Sequence, residues 1–301
     1  MIQKSLAAFI LLVSIFSCKK ETLKVSEKKI ENDTVSKAEI KEELLKPVDT
    51  VCLTSHTTED YIKAVNWYEN KTVKEVALNS QEHNNKLYED YIKIREKYIL
   101  CLSENLMKIL IDYVNYYDPE TNSYKFPENV KKLRAQLKTG DLEFREVGEG
   151  YTEIWSVPDH YFSIFKNKVT PDYNSYIQQL AKESRDIYSA DAGIVISWKE
   201  LGDRTVFWEN FIKKYHQSPL IPRVKKIYDN YLTDYLFGMD NTPTYEHADG
   251  KLYDENRKEF NRIIRTYPDS YVAEKAKALM NMLDAKVPDE EIRKRIAIEE
   301  K

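Results

Sequence analysis

The residues best equipped for chemistry are carboxylates set beside aromatic rings. Glu149, Glu153 and Asp159 lie close together around Trp155. Two carboxylates facing each other across about 5–10 Å can protonate and attack a glycosidic bond, with Trp and Tyr rings carrying the sugar. Spacing alone does not select these three among the 50 Asp and Glu of the chain. Glu246-His247-Ala248-Asp249 packs three metal-ligating residue types into four positions. A metal centre usually draws further ligands from other elements, so the expectation is a solvated loop and no metal. Asp118-Pro119-Glu120-Thr121-Asn122 copies the start of a calcium loop. Ser123 stands where that loop needs a turning Gly, however, and no Glu closes it.

Motifs that carry an activity by themselves are absent. The sequence contains no phosphate-cradling glycine loop, no dinucleotide fingerprint, no His-Glu-x-x-His, no Cys-x-x-Cys and no nucleophile elbow. A formal net charge of −4 with both signs interleaved leaves no electrostatic footprint for nucleic acid. No cofactor is expected, and binding is expected ahead of catalysis. Besides Trp155, the candidate ligand contacts are Asp240, Asn241, Tyr245 and His247. They sit in a segment, 238–250, that is long for a connector in a helical protein.

These residues must be positioned mainly by helices. Only seven Gly occur, and Pro falls between apolar-periodic stretches. Between residues 81 and 117, Leu87, Tyr91, Ile94, Tyr98, Leu102, Leu106, Leu110, Tyr113 and Tyr117 recur at three- and four-residue steps. That spacing predicts one long amphipathic helix. Further helices are expected over 58–68, 127–138, 158–167, 171–189, 190–215, 219–237, 251–267, 270–284 and 288–299. Residues 142–147 and 151–157 alternate side-chain character around Gly148-Glu149-Gly150 and predict a single β-hairpin. The expected fold is therefore mainly α, built of packed helical hairpins over residues 51–301, with a subdivision conceivable near 140–157.

One helical unit is written twice at an offset of 52 residues. Trp208, Phe211, Ile212, Tyr215 and Ser218 align with Phe260, Ile263, Ile264, Tyr267 and Ser270. The register continues through Val224 with Ala276, Ile227 with Leu279, and Tyr231 with Leu283. Tyr267-Pro268-Asp269-Ser270, followed by the small Ala273 and Ala276, resembles the tetratricopeptide-like units of envelope lipoproteins. In the first copy His216 replaces Pro, and Ile221 and Val224 replace Ala. Over 207–283 the resemblance implies a stacked helical scaffold with a concave surface for proteins or peptides. The alternative is a duplicated hairpin that only builds core.

Residues 1–17 have the parts of an export signal: Lys4, the apolar run 6–16, and the small Ser17. The run is too short to span a bilayer. Ser17-Cys18 resembles the lipobox of bacterial lipoproteins, although Ile15 and Phe16 depart from its preferred residues. The resemblance implies cleavage before Cys18 and acylation of that residue, palmitate included. Lys19, where Asp would signal inner-membrane retention, points to the outer membrane. Residues 18–50 lack any aromatic and are rich in Lys, Glu, Ser and Thr, so they read as a tether. Export leaves Cys52 and Cys101 as an even pair in a compartment that permits disulfides. The expectation is a bridge; two unrelated thiols are the alternative.

The sequence therefore predicts a lipid-anchored envelope protein that binds or scaffolds a protein partner. A glycan- or peptidoglycan-acting enzyme or binding module is the main rival. An inhibitor or immunity-type lipoprotein is a third class.

Overall fold

The computed structural model describes Cys52 and residues 56–296. Cys18, the export segment and the tether lie outside the described residues. The chain is mainly α-helical, with small antiparallel hairpins. In order the elements are α1 (Thr58–Val76), α2 (Gln81–Asn105), α3 (Met107–Asp112), a 3-10 turn (Tyr113–Tyr116), β1 (Tyr117–Asp118), β2 (Ser123–Tyr124), α4 (Glu128–Lys138), β3 (Leu142–Gly148), β4 (Tyr151–Ser156), α5 (His160–Phe165) and α6 (Pro171–Glu183). Then come β5 (Ser189–Ala190), β6 (Gly193–Ile194), α7 (Trp198–Lys214), α8 (Ile221–Phe237), β7 (Gly238–Met239), β8 (Thr242–Pro243), α9 (Asp254–Thr266), α10 (Tyr271–Asp284) and α11 (Asp289–Ile296). Buried side chains from Tyr61 to Ile296 form one continuous core, which Leu142 and Ile154 of the β3–β4 hairpin enter.

Local chemistry explains where most helices start. Thr57 and Asp60 close a reciprocal capping box on α1, satisfying two amides that the helix cannot. Ser80 and Ser197 accept from the third amide of α2 and of α7, and Pro171 occupies the first turn of α6.

Three predicted segments are corrected. The expected single helix over 81–117 breaks at Leu106 and tightens at Tyr113. There the Asn105 amide donates to the His56 carbonyl, and Tyr113 is drawn into a ring cluster with Tyr124, Phe126 and Phe144. The helix expected over 171–189 stops at Glu183, because Arg145 and Arg204 take the carbonyls of Ser184 and Asp186. The helix expected over 190–215 starts only at Trp198. Asp191 and Ala192 both adopt φ near +50°, which turns the chain into the β5–β6 hairpin. The single expected hairpin is thus one of four among the described residues.

The twofold echo is visible in the backbone. The residues ending α7 and α9, Tyr215 and Tyr267, have φ/ψ of −116/42° and −131/59°. Each accepts at its carbonyl from Ser218 or Ser270 three positions on. α7–α8 and α9–α10 are consecutive helical hairpins, and α7 packs on both α9 and α10. The copies then diverge. Ser270 caps α10 through Ala273, whereas Ser218 turns to Asp172 and α8 begins without a side-chain cap. Buried Glu209 strengthens the second junction by accepting from the amides of Tyr271 and Val272, anionic groups being favoured at a helix N-terminus.

Candidate functional site

A cleft of about 1030 Å³ lies between α2, the β3–β4 hairpin, α6, α7 and α8. Amphipathic α2 turns Tyr88, Glu89, Ile92 and Glu96 toward it. The hairpin contributes Glu153, Trp155 and Ser156, and α6 contributes Tyr176, Ile177 and Glu183. Arg204, Arg223 and Tyr231 complete the far wall. Ligand sites are commonly concave and apolar with a few placed polar groups, and this lining has that character.

Trp155 is held in place from two sides. Its Nε1 donates to Glu153 Oε2 at 2.7 Å, and the Arg145 guanidinium lies 4.7 Å over its ring. At the base of the cleft, Glu183 accepts from Gln179 at 2.7 Å, Trp208 at 3.0 Å and Tyr231 at 3.0 Å. Burial nevertheless raises its pKa, and those donors and Arg204 offset the rise only in part. Burial raises Glu96 as well, with Arg223 pulling down and Glu89 pushing up. Burial and Asp234 push Tyr188 up to about 12, so its hydroxyl stays protonated at neutral pH.

A second polar layer lies directly beneath. Arg95 on α2 is 1% exposed. Its guanidinium donates to Ser156 Oγ at 2.7 Å, to the carbonyls of Gly140 and Asp141 at 2.7 and 3.0 Å, and to the Tyr91 hydroxyl at 3.4 Å. His160 spans Tyr91 and Asp141, with Nε2 2.8 Å from the hydroxyl and Nδ1 3.2 Å from Oδ2. Burial first, then Arg95, lowers His160 to about 4, so the ring is neutral at pH 7. The cleft wall and the connection into β3 are thereby tied to one buried cation.

The sequence-derived candidates separate on this geometry. Trp155 and Glu153 line the cleft together. Glu149 lies at the hairpin turn, its amide bonded to Asp191, and Asp159 pairs with Arg185 at 2.6 Å. The three carboxylates therefore do not converge. None of Asp240, Asn241, Tyr245 and His247 reaches the cleft. Tyr245, expected as an exposed contact, is 1% exposed and donates to Asp289. Its ring packs under the loop because Tyr245 bridges to Leu252 in an antiparallel pair. Asn241 bonds the Asp191 and Ala192 carbonyls, joining two hairpins. Asp240 and His247 stand at the surface, His247 Nδ1 being 3.9 Å from Asp289.

Cys52 and Cys101 are joined by a disulfide, with Cα atoms 5.2 Å apart. The Asp118 carboxylate is taken by Glu120, Thr121 and Lys125, and Asp249 by the Lys251 amide. Both metal-like sequences are thus turn-forming. Sequence reasoning missed Glu183, Glu89, Arg223 and the Arg95 layer, which come from elements far apart in the chain. The only local signal was the apolar face of α2, since Tyr88, Ile92 and Ile99 flank the stripe that the periodicity marks.

Comparison with models of protein families, with curated proteins and with solved structures finds no match to this chain. No helix among the described residues is long and apolar enough to cross a membrane.

Proposed function

We propose that this chain is a binding protein of the cell envelope, anchored at the outer membrane through lipid on Cys18, and that its cleft holds a segment of glycan. One observation carries the ligand class: Trp155 and five tyrosines (88, 161, 176, 188 and 231) line one cavity with Glu96 and Glu153. Indole and phenol rings offer apolar faces with a polar edge. Carboxylates beside them accept hydroxyl donors, a combination suited to a sugar chain. Binding without cleavage is the simpler role, because Glu153 is committed to the Trp155 indole and Glu183 to three donors.

The test is calorimetric titration of the full chain with soluble peptidoglycan fragments and with neutral oligosaccharides. Saturable binding that weakens at least about tenfold in Trp155→Ala supports the reading, such a loss being about 1.4 kcal/mol. Absence of binding to every glycan sinks it.

A protein partner is the second reading. Its support is the stacked pair α7–α8 and α9–α10 and, separately, the exposed apolar side chains Leu100 on α2 and Met107 and Ile111 on α3, which are 58%, 52% and 64% exposed. In-cell crosslinking beside a Cys18→Ala control tests it. A reproducible partner lost with the anchor favours this reading over the glycan.

A further inference from the structure

Glu69 on α1, Asp141 at the entry to β3 and His160 at the start of α5 bring one ligand atom each within 4.8 Å of one another. Three separate elements therefore converge on one point. The His160 ring is 1% exposed and forms the floor. The side chains of Glu69 and Asp141 are 26% and 46% exposed, so the acidic side opens to solvent and gives an ion a path of entry. Arg95 does not bridge the two carboxylates. It spends its donors on Ser156, Tyr91 and two backbone carbonyls, and its nearest approach to Glu69 is 3.9 Å. Among the described residues, Glu69 accepts no hydrogen bond at all.

We propose that Glu69, Asp141 and His160 form a binding site for one divalent cation of the zinc class, with water completing the shell. The donor set decides the class. An imidazole nitrogen favours zinc and its neighbours over magnesium and calcium, and two carboxylates without a thiolate disfavour copper(I). Three protein ligands and an open fourth position are the arrangement of a zinc site that keeps a water. Metal–ligand bonds of about 2.0–2.2 Å place ligand atoms roughly 3.4 Å apart. His160 Nδ1 and Asp141 Oδ2, at 3.2 Å, already satisfy this. Rotation of the Glu69 side chain, which is 26% exposed, brings in the third.

The surroundings fit as well. A metal-bound imidazole needs its other nitrogen held, and His160 Nε2 is 2.8 Å from the Tyr91 hydroxyl. When Nδ1 ligates, its lone pair faces the ion, the ring proton resides on Nε2, and Tyr91 oxygen accepts it. The imidazole remains neutral throughout. Arg95 holds the backbone carbonyl of Asp141, fixing the loop that carries the second carboxylate. That loop has Asp141 at φ +49°.

The experiment uses the full chain, stripped with chelator and dialysed, then titrated with Zn²⁺ alone. The expected result is one Zn²⁺ per chain with a rise in Tm. Glu69→Gln should match the wild type in circular dichroism and in chelator Tm, yet bind Zn²⁺ at least about tenfold more weakly. His160→Asn should weaken Zn²⁺ binding at least as much, with a lower chelator Tm because the ring is buried and bonded to Tyr91 and Asp141, and cobalt should give a visible d–d band in the wild type only. Mg²⁺ and Ca²⁺ should bind far more weakly than Zn²⁺. Stoichiometric binding that survives Glu69→Gln, no binding at all, or tighter Ca²⁺ than Zn²⁺ would each overturn the proposal. The glycan titration has no bearing on this result, since the two sites are tested with different ligands.

Discussion

Arg223 and Glu89, 134 residues apart in the chain, meet at the cleft as a two-pronged pair, Nη1 to Oε1 at 3.3 Å and Nη2 to Oε2 at 2.9 Å. The pair joins α8 to α2. The guanidinium also lies 5.8 Å over the Tyr176 ring, on the third wall. One planar cation therefore touches three of the elements that form the cavity, which is a use suited to Arg and not to Lys.

Arg223→Lys should keep the charge and lose the fork. Because the Arg223 side chain is 48% exposed, the coupling to Glu89 is expected at about 0.5–1 kcal/mol. Denaturant unfolding of the wild type, Arg223→Lys, Glu89→Gln and the double variant would measure it. A coupling of zero would make the contact incidental. Any bound glycan should dissociate faster from Arg223→Lys.

Glu183 sets a pH dependence. Its pKa is raised above the ordinary 4.5 in the folded chain. Between that value and the higher folded one, the unfolded chain has released its proton and the folded chain has not. Stability attributable to this group is therefore full below about pH 4.5 and falls as pH rises through that window. Glu183→Gln removes the effect. The variant should gain on the wild type as pH goes from 4 to 7, read by melting temperature across buffers. A difference that does not change with pH would contradict this.

Gly202→Ala should destabilise strongly for one added methyl group. A Cβ there would lie 2.8 Å from Glu259 Oε1, 2.8 Å from the Tyr235 ring and 3.2 Å from Ile263. Gly202 is the point where α7 meets both α8 and α9. Overpacking of this kind costs about 1–3 kcal/mol. Unchanged unfolding in denaturant would mean that the junction is looser than its contacts imply.

Reduction of Cys52–Cys101 should lower stability by up to about 4 kcal/mol for a closed loop of 49 residues. Paired melts with and without reductant check this. Thiol titration of the denatured, unreduced chain should find neither of these two cysteines. Two titratable thiols from this pair would remove the bridge.

The sequence revealed its helices where side chains face one core over many turns. The duplicated unit is the strongest case. Trp208 and Phe260, and likewise Phe211 and Ile263, are all at most 2% exposed, as their matching positions require. The β3–β4 hairpin was legible for the same reason, since alternation persists over six residues. The other three hairpins were not, because two-residue strands carry no period. They depend on positive φ at Asn122, Asp191, Ala192 and Gly238, which spacing does not encode. The cleft was legible only at Trp155 and Glu153. Its charged members are set by how α2, α6 and α8 cross, and periodicity fixes which face a helix buries but not which partner it meets. Tyr245 shows the converse error: a polar-looking loop folded back and sealed its own aromatic residue.

The bridge between Cys52 and Cys101 also decides how the domain bears load. Tension arriving along residues that precede Cys52 would pass through sulfur into the last turns of α2, at Cys101, and bypass α1. Helix α1 and the part of α2 that precedes Cys101 lie inside the closed loop and are thus mechanically shielded, and a pull that would otherwise unzip the molecule from its first turn must instead act on the last turn of α2 and the elements that follow it.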